Sequence, residues 1–211
     1  MGIFEPDSKA FVRMAAAGLL LIAVGTLVFS QEPNRIDQAV PAVVAQWRTP
    51  VLDRAMAILT HAGGLFATLL LLAAVAVSLY LRKRLRAILV VLVSVFGAAA
   101  LASTIKELVG RARPPAPLME AGGYAFPSWH AAVSAALAVS LFAVFYHRMA
   151  PRLRPLFVSG LFGWPLLVGA SRIYLQVHWA SDVLAGWGVG LAWAAFAALI
   201  LREKGDGHGD A

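Results

Sequence analysis

The sequence predicts an all-α, polytopic membrane protein with six transmembrane helices and a short interfacial helix between the first two. Three observations predict it. Of 211 residues, 60% are hydrophobic and only 14% charged, against about 45–50% and about 25% in a soluble domain. Six apolar stretches approach the span length, which is roughly 20 residues per crossing. Basic residues favour the segments between alternate stretches, as orientation by Lys and Arg requires. Together these exclude a water-soluble globule and a disordered chain.

The first span covers residues 14–30, behind Lys9 and Arg13. Residues 28–30 resemble a signal-peptide cleavage site. A run of about 17 apolar residues is long for a signal peptide, so a retained span is expected. Between 31 and 63, Ile36, Val40, Val43, Val44 and Trp47 recur at helical spacing, with polar Asp37, Gln38 and Gln46 between them. This reads as a short helix at the interface, with Trp47 at headgroup depth. Gly63-Gly64 punctuates the entry to the second span, 64–81, which ends before Arg82-Lys83-Arg84. The third span, 87–105, stops at Lys106. The fourth, 129–146, follows Ser128, an N-cap candidate, and ends before His147-Arg148. The fifth, 155–170, is the shortest and holds Pro165. The sixth, 183–201, follows Asp182, again an N-cap candidate. Abundant Ala and Gly suit close helix packing in lipid. The chain thus divides into a membrane domain, 1–202, and a polar, Gly-rich tail, 203–211, expected to be disordered and cytoplasmic.

With both termini cytoplasmic, the inner segments hold Lys9, Arg13, Arg82, Lys83, Arg84, Arg86, Arg148, Arg152, Arg154, Arg202 and Lys204, eleven of the 18 basic residues. The outer segments hold Arg35, Arg48, Arg54, Lys106, Arg111, Arg113 and Arg172. The net charge of +7 is thereby a topology signal, and no nucleic-acid partner is expected. The chain has no cysteine, which excludes a disulfide scaffold, an iron–sulfur centre and a thiolate zinc site.

Ionisable residues beside apolar spans are costly and point to function. Three clusters fall on the predicted outer side. The first is Lys106, Arg111 and Arg113 before Pro114-Pro115. Cations gathered on the cation-poor side suit an anionic ligand, with Arg offering a planar fork to phosphate. The second is Ser128-Trp129-His130 at a helix start. Free backbone N–H groups and the positive dipole end favour a phosphate there, and His130 can donate a proton near neutral pH. The third is Ser171-Arg172, His178 and Asp182. His178 and Asp182 are spaced to share a helical face, and a carboxylate on one imidazole nitrogen leaves the other free as nucleophile or base. His61 stands alone and is read as structural. Carboxylates near the clusters are few: Glu107, Glu120 and Asp182. A two-metal phosphatase is therefore disfavoured, and no metal or other cofactor is expected. The grouping suits phosphoryl transfer in which the protein's own cations offset the charge.

Lys106-x6-Arg113-Pro114, Pro127-Ser128-Trp129-His130 and Ser171-Arg172-x5-His178-x3-Asp182 resemble the three-part signature of the type 2 phosphatidic acid phosphatase family. That family includes integral-membrane lipid phosphate phosphatases and, more distantly, soluble vanadium haloperoxidases. The resemblance implies that His178 attacks phosphorus and forms a phosphohistidine, with Asp182 orienting it. It implies that His130 protonates the leaving oxygen and then activates water. Lys106, Arg113, Arg172, Ser128 and the Trp129 amide would hold the phosphoryl oxygens. Arg111 lies outside the signature and is expected to be an electrostatic helper. Trp129 stands where the family usually has Gly, so its ring is expected to point away from the anion, toward lipid or the leaving group.

The resemblance implies a lipid phosphate or diphosphate monoester as substrate, of the phosphatidate, phosphatidylglycerol phosphate, undecaprenyl diphosphate or lipid A phosphate type. It implies a bacterial inner-membrane enzyme with its site on the periplasmic or extracellular side and no obligate protein partner. A phosphotransferase would use the same residues. A haem-binding helical bundle with His130 and His178 as axial ligands is an alternative of another class. A transporter is less attractive, because neither repeats nor broken-helix pairs are evident.

Overall fold

The computed structural model describes residues 8–28 and 33–201. The predicted tail, 203–211, and residues 29–30 of the cleavage-like segment lie outside them. The described residues form eight α-helices: α1 Ser8–Val28, α2 Arg35–Trp47, α3 Pro50–Ala62, α4 Leu65–Leu81, α5 Leu85–Val109, α6 Trp129–Phe145, α7 Arg154–Tyr174 and α8 Ala180–Ile200.

Among the described residues, four segments are long and apolar enough to cross a membrane: Leu85–Val109, Trp129–Arg148, Pro151–Tyr174 and Ala180–Ile200. Helices α3 and α4 together make a fifth, bent by 46° at Gly63-Gly64. The molecule is thus an all-α polytopic membrane protein with four or five spans among the described residues, where the sequence led to six. Within α1 the described apolar run is the shorter Phe11–Leu20.

Helix α6 is the central post. Ala131–Ser140 are all buried, because α5, α7 and α8 pack around it. Its small side chains let α8 come close. A Cβ on Gly186 would lie 2.5 Å from the Ser128 carbonyl oxygen, and one on Gly190 would lie 2.8 Å from Ala135 Cβ. These glycines are one turn apart, the small-xxx-small pattern that brings membrane helices together. The contact fixes the start of α8 beside the start of α6, and Ser128 N–H donates to the Asp182 carbonyl at 2.8 Å. On its other side α8 packs along α1, where Gly18 takes up the close approach.

The segment between the first two predicted spans departs from expectation. The predicted short helix is present as α2, capped by the Asn34 side chain, which accepts from the Ile36 and Asp37 amides at 2.7 and 2.9 Å. A second helix, α3, follows it. Its start signals are ordinary: Thr49 as N-cap accepts from Leu52 N–H at 3.1 Å, Pro50 opens the first turn, and Asp53 sits in that turn. Asp53 also pairs with Arg48 at 2.9 Å and accepts from Tyr174 Oη at 2.7 Å, tying α3 to the end of α7.

Helix α7 runs through Pro165, and Trp187 Nε1 donates to the Pro165 carbonyl at 3.0 Å. Helix α8 begins three residues before the predicted start, so Asp182 is not its N-cap. The carboxylate instead reaches back to the Trp179 backbone N–H at 2.8 Å. The strongly basic turns at 82–86 and 148–154 lie at the end of the bundle opposite the three sequence clusters.

Candidate active site

The ends of α3, α5 and α7 and the starts of α4, α6 and α8 meet at one end of the bundle. A cavity of about 430 Å³ opens there. Its walls include Lys106, Arg113, Trp129, His130, Arg172 and His178, so six of the nine sequence-selected residues line one space. The other three, Asp182, Ser128 and Arg111, are buried behind that wall.

His178 lies in the short loop between α7 and α8, not on a helix shared with Asp182 as its spacing suggested. It nevertheless meets Asp182, with Nδ1 at 3.4 Å from Oδ2. Its Nε2 is 3.2 Å from Arg113 Nη1. A guanidinium can only donate, so Nε2 is the acceptor and Nδ1 carries the hydrogen that faces the carboxylate. Burial holds the imidazole pKa well below its ordinary value, and the cations Arg172, Arg113 and Lys106 push it the same way. His178 is therefore neutral, with its lone pair on the nitrogen next to the cationic cluster.

Each cation is fixed by the backbone or by a neighbour. The long segment after α5 turns at Gly110, whose φ of +66° suits a residue without Cβ. It then folds back, with Ala125 N–H donating to the Arg111 carbonyl at 2.7 Å. Lys106 Nζ donates to the Tyr124 carbonyl at 2.7 Å. Arg113 donates to the carbonyls of Gly122 and Gly123 at 2.7 and 3.0 Å and of Val177 at 2.6 Å. Arg172 Nη1 donates to Thr60 Oγ1 at 2.8 Å. Two buried donors in this region, Arg172 Nε and Ser128 Oγ, have no hydrogen-bond partner among the described residues. Ser128 occupies the N-cap position of α6, but its hydroxyl caps no amide.

Arg111 and Trp129 take different places. Arg111 does not face the cavity. It is 1% exposed, donates from Nη2 to Asp37 at 2.8 Å and from Nη1 to Asp182 at 2.7 Å, and so is neutralised by carboxylates. Trp129 lines the cavity, and its ring meets His130 edge-on at 5.5 Å. His61 was read as structural, yet it lines the same cavity together with Thr60 and Glu120. The adjacent Gly63-Gly64 break was its one local signal. Among the described residues, no three of His, Asp and Glu gather as a possible metal site.

The sequence clusters and the joint cavity have their counterpart in known proteins, for residues 87–206 match the PAP2 superfamily. The chain belongs to that superfamily. Phosphatidylglycerophosphatase B of Bacillus subtilis (strain 168) is 30% identical over 181 residues, 82% of this chain and 87% of that protein. An undecaprenyl-diphosphatase of Sulfolobus acidocaldarius is 33% identical over 82 residues, 39% of this chain and 35% of that protein. Among solved structures, a transmembrane PAP2-type phosphatidylglycerolphosphate phosphatase from Bacillus subtilis superposes with a TM-score of 0.78 at 26% identity. The match covers 93% of this chain and 98% of the other. This PAP2 protein is accordingly a multi-pass membrane hydrolase, a phosphatase of the kind that acts on lipid phosphates and diphosphates.

Proposed function

We propose that this PAP2 protein cleaves a lipid phosphate or diphosphate monoester through a phosphohistidine on His178. The observation that carries the proposal is the environment of His178 Nε2. It is an unprotonated nitrogen beside Arg113, on a cavity shared with Lys106 and Arg172. In the first step the Nε2 lone pair forms the N–P bond while the P–O bond to the lipid breaks. The departing oxygen takes its electron pair and a proton from His130. In the second step His130 accepts a proton from water, water oxygen attacks phosphorus, and the N–P bond breaks to release inorganic phosphate. Asp182 holds the Nδ1 hydrogen and supports the imidazolium.

Lys106, Arg113 and Arg172 offset charge on the phosphoryl oxygens. Ser128 Oγ and Arg172 Nε, both without partners among the described residues, are donors a phosphoryl group would satisfy. The first amides of α6, Trp129 among them, lack intrahelical acceptors and add a helix N-terminus to the same site. No step draws on a metal or other cofactor. The haem reading is disfavoured, because His130 and His178 share their cavity with the cations Lys106, Arg113 and Arg172.

Among candidate lipids, phosphatidylglycerol phosphate is the first to test. The Bacillus subtilis relative and the Bacillus subtilis structure both bear that activity in their names, and phosphatidate and undecaprenyl diphosphate follow. The site is assigned to the periplasmic or extracellular face, because the basic turns 82–86 and 148–154 lie at the other end. Helix α1 is the first of six spans in this reading, the α3–α4 pair the second, and both termini are cytoplasmic. The membrane domain is 1–202, and 203–211 is a tail outside it.

The test is a phosphate-release screen over these lipids in detergent, in excess EDTA, with the phosphoenzyme trapped by denaturation at high pH, where phosphohistidine survives. A wild-type enzyme that turns over without any trappable phosphoenzyme in a rapid quench, or that requires Mg²⁺, overturns the mechanism.

A further inference from the structure

Helix α2 buries the wrong kind of residue for an interfacial helix. Its apolar Ile36, Val43 and Trp47 are exposed, at 67%, 54% and 69%, whereas Asp37 is completely buried. An isolated carboxylate does not survive such burial unless it is paired. Asp37 is paired twice. Its Oδ1 accepts from the Ser181 backbone N–H at 3.1 Å, and its Oδ2 accepts from Ser181 Oγ at 2.7 Å and Arg111 Nη2 at 2.8 Å. Arg111 carries the connection onward, donating Nη1 to Asp182 Oδ1 at 2.7 Å. The other oxygen of Asp182 faces His178.

We propose that Asp37 is a positioning residue for the reaction: it cancels the charge of Arg111, so that Asp182 keeps its own charge for His178. The proposal rests on the reading of His178 as the nucleophile. When Nε2 bonds to phosphorus, the imidazole ring becomes cationic, and the carboxylate at Nδ1 stabilises it. Arg111 grips the same carboxylate and opposes that stabilisation. Its side chain and those of both carboxylates are no more than 1% exposed, so water screens these interactions weakly. With Asp37 present, the row Asp37–Arg111–Asp182 carries one net negative charge toward His178. Without the charge of Asp37 the row is neutral. Arg111 still serves Asp182 by holding Oδ1 and fixing the plane of the carboxylate, a guanidinium fork shared by two acids. Asp37 also links α2 to the first turn of α8, so the interfacial helix and the residue that orients the nucleophile are held as one unit.

The test uses the full-length enzyme in detergent with dioctanoyl phosphatidate. Asp37→Asn should lower kcat about 10- to 100-fold with KM within about twofold of wild type, as removal of an outer orienting partner does. The discriminating variant is Asp37→Asn with Arg111→Gln. It removes both charges and leaves Asp182 uncompensated but still hydrogen-bonded. Its kcat should recover to within about fivefold of wild type. A role in folding alone predicts that the second substitution makes matters worse.

Unchanged kcat in Asp37→Asn, a loss confined to KM, or a paired variant no more active than Asp37→Asn overturns the proposal. If Asp37→Asn is not recovered as a monodisperse, folded protein, the paired variant is compared with wild type, and a kcat more than about fivefold below wild type overturns it. A paired variant that does not fold overturns it as well, since that variant buries less charge. Absence of a phosphoenzyme in wild type, together with the predicted pattern in kcat, removes only the identity of the nucleophile and leaves the coupling of Asp37 to the site.

Discussion

Replacing Asp182 with Asn removes one charge and almost no volume, and the structure specifies what it breaks. Asp182 uses both oxygens as acceptors: Oδ1 for Arg111 at 2.7 Å, Oδ2 for the Trp179 N–H at 2.8 Å and for His178 Nδ1 at 3.4 Å. Asn has one acceptor oxygen and one NH2. With the oxygen toward Arg111, the NH2 meets the Trp179 N–H, and His178 Nδ1 must become an acceptor. The ring hydrogen then moves to Nε2, where it opposes Arg113 Nη1 at 3.2 Å and blocks the lone pair. With the oxygen toward His178, the NH2 meets the Arg111 guanidinium instead. Neither orientation satisfies all three donors. The tautomer argument sets kcat about 10³- to 10⁴-fold below wild type. At about 1.4 kcal/mol per tenfold, that is about 4–5.5 kcal/mol of transition-state stabilisation. Initial rates on dioctanoyl phosphatidate, with KM measured in parallel and folding checked by size exclusion and thermal melting, give the answer. A folded Asp182→Asn enzyme whose kcat lies within about tenfold of wild type refutes the tautomer reasoning.

Three further outcomes are expected. His130→Ala should lower kcat/KM, which reports formation of the phosphoenzyme, by about 10²- to 10⁴-fold for an alkyl phosphate and far less for p-nitrophenyl phosphate, because a good leaving group needs no general acid; equal losses in kcat/KM for both substrates count against that role. Gly190→Ala should lower stability by about 1–3 kcal/mol, because the added methyl has no room beside Ala135 and Ala136 and forced overpacking costs this much; an unchanged denaturation midpoint contradicts the packing. For pH, the folded state holds His178 neutral well below its ordinary value while the unfolded chain protonates it near 6.5. The unfolded state then binds the extra proton, so stability should fall as pH drops below about 6.5, by up to about 1.4 kcal/mol per unit from this residue. Thermal melts of wild type and His178→Gln between pH 5 and 8 check this, and identical pH slopes would remove His178 from the linkage.

Hydropathy and spacing carried much of the architecture. The predicted stretches 64–81, 87–105, 129–146, 155–170 and 183–201 correspond to α4 through α8, with ends displaced by several residues at most. Span composition is a local property, and a window along the chain reads it. The helix α3 was legible too, in Thr49-Pro50 and Asp53, but the apolar stripe ending at Trp47 drew the boundary too early. Site residues were legible where the chemistry repeats a spacing, as for Lys106 and Arg113 or His178 and Asp182. His61 was not, since a single imidazole gains meaning only when α3 brings it to the cavity that His130 lines.

By itself the sequence determined the membrane class, most of the helices and most of the polar residues able to handle a phosphoryl group, because burial in lipid and helical period are properties of contiguous residues. Only the tertiary structure decided which charges face the cavity and which are consumed behind it. Arg111 and Arg113 are two residues apart and look alike in the chain. Close packing of α8 on α6 through Gly186 and Gly190 sets Asp182 beside Arg111, and the burial of Asp37 completes that pairing, while Arg113 is left beside His178 Nε2. The reason is distance: Asp37 and Arg111 are 74 residues apart in sequence and 2.8 Å apart in space, and no local pattern encodes such a meeting.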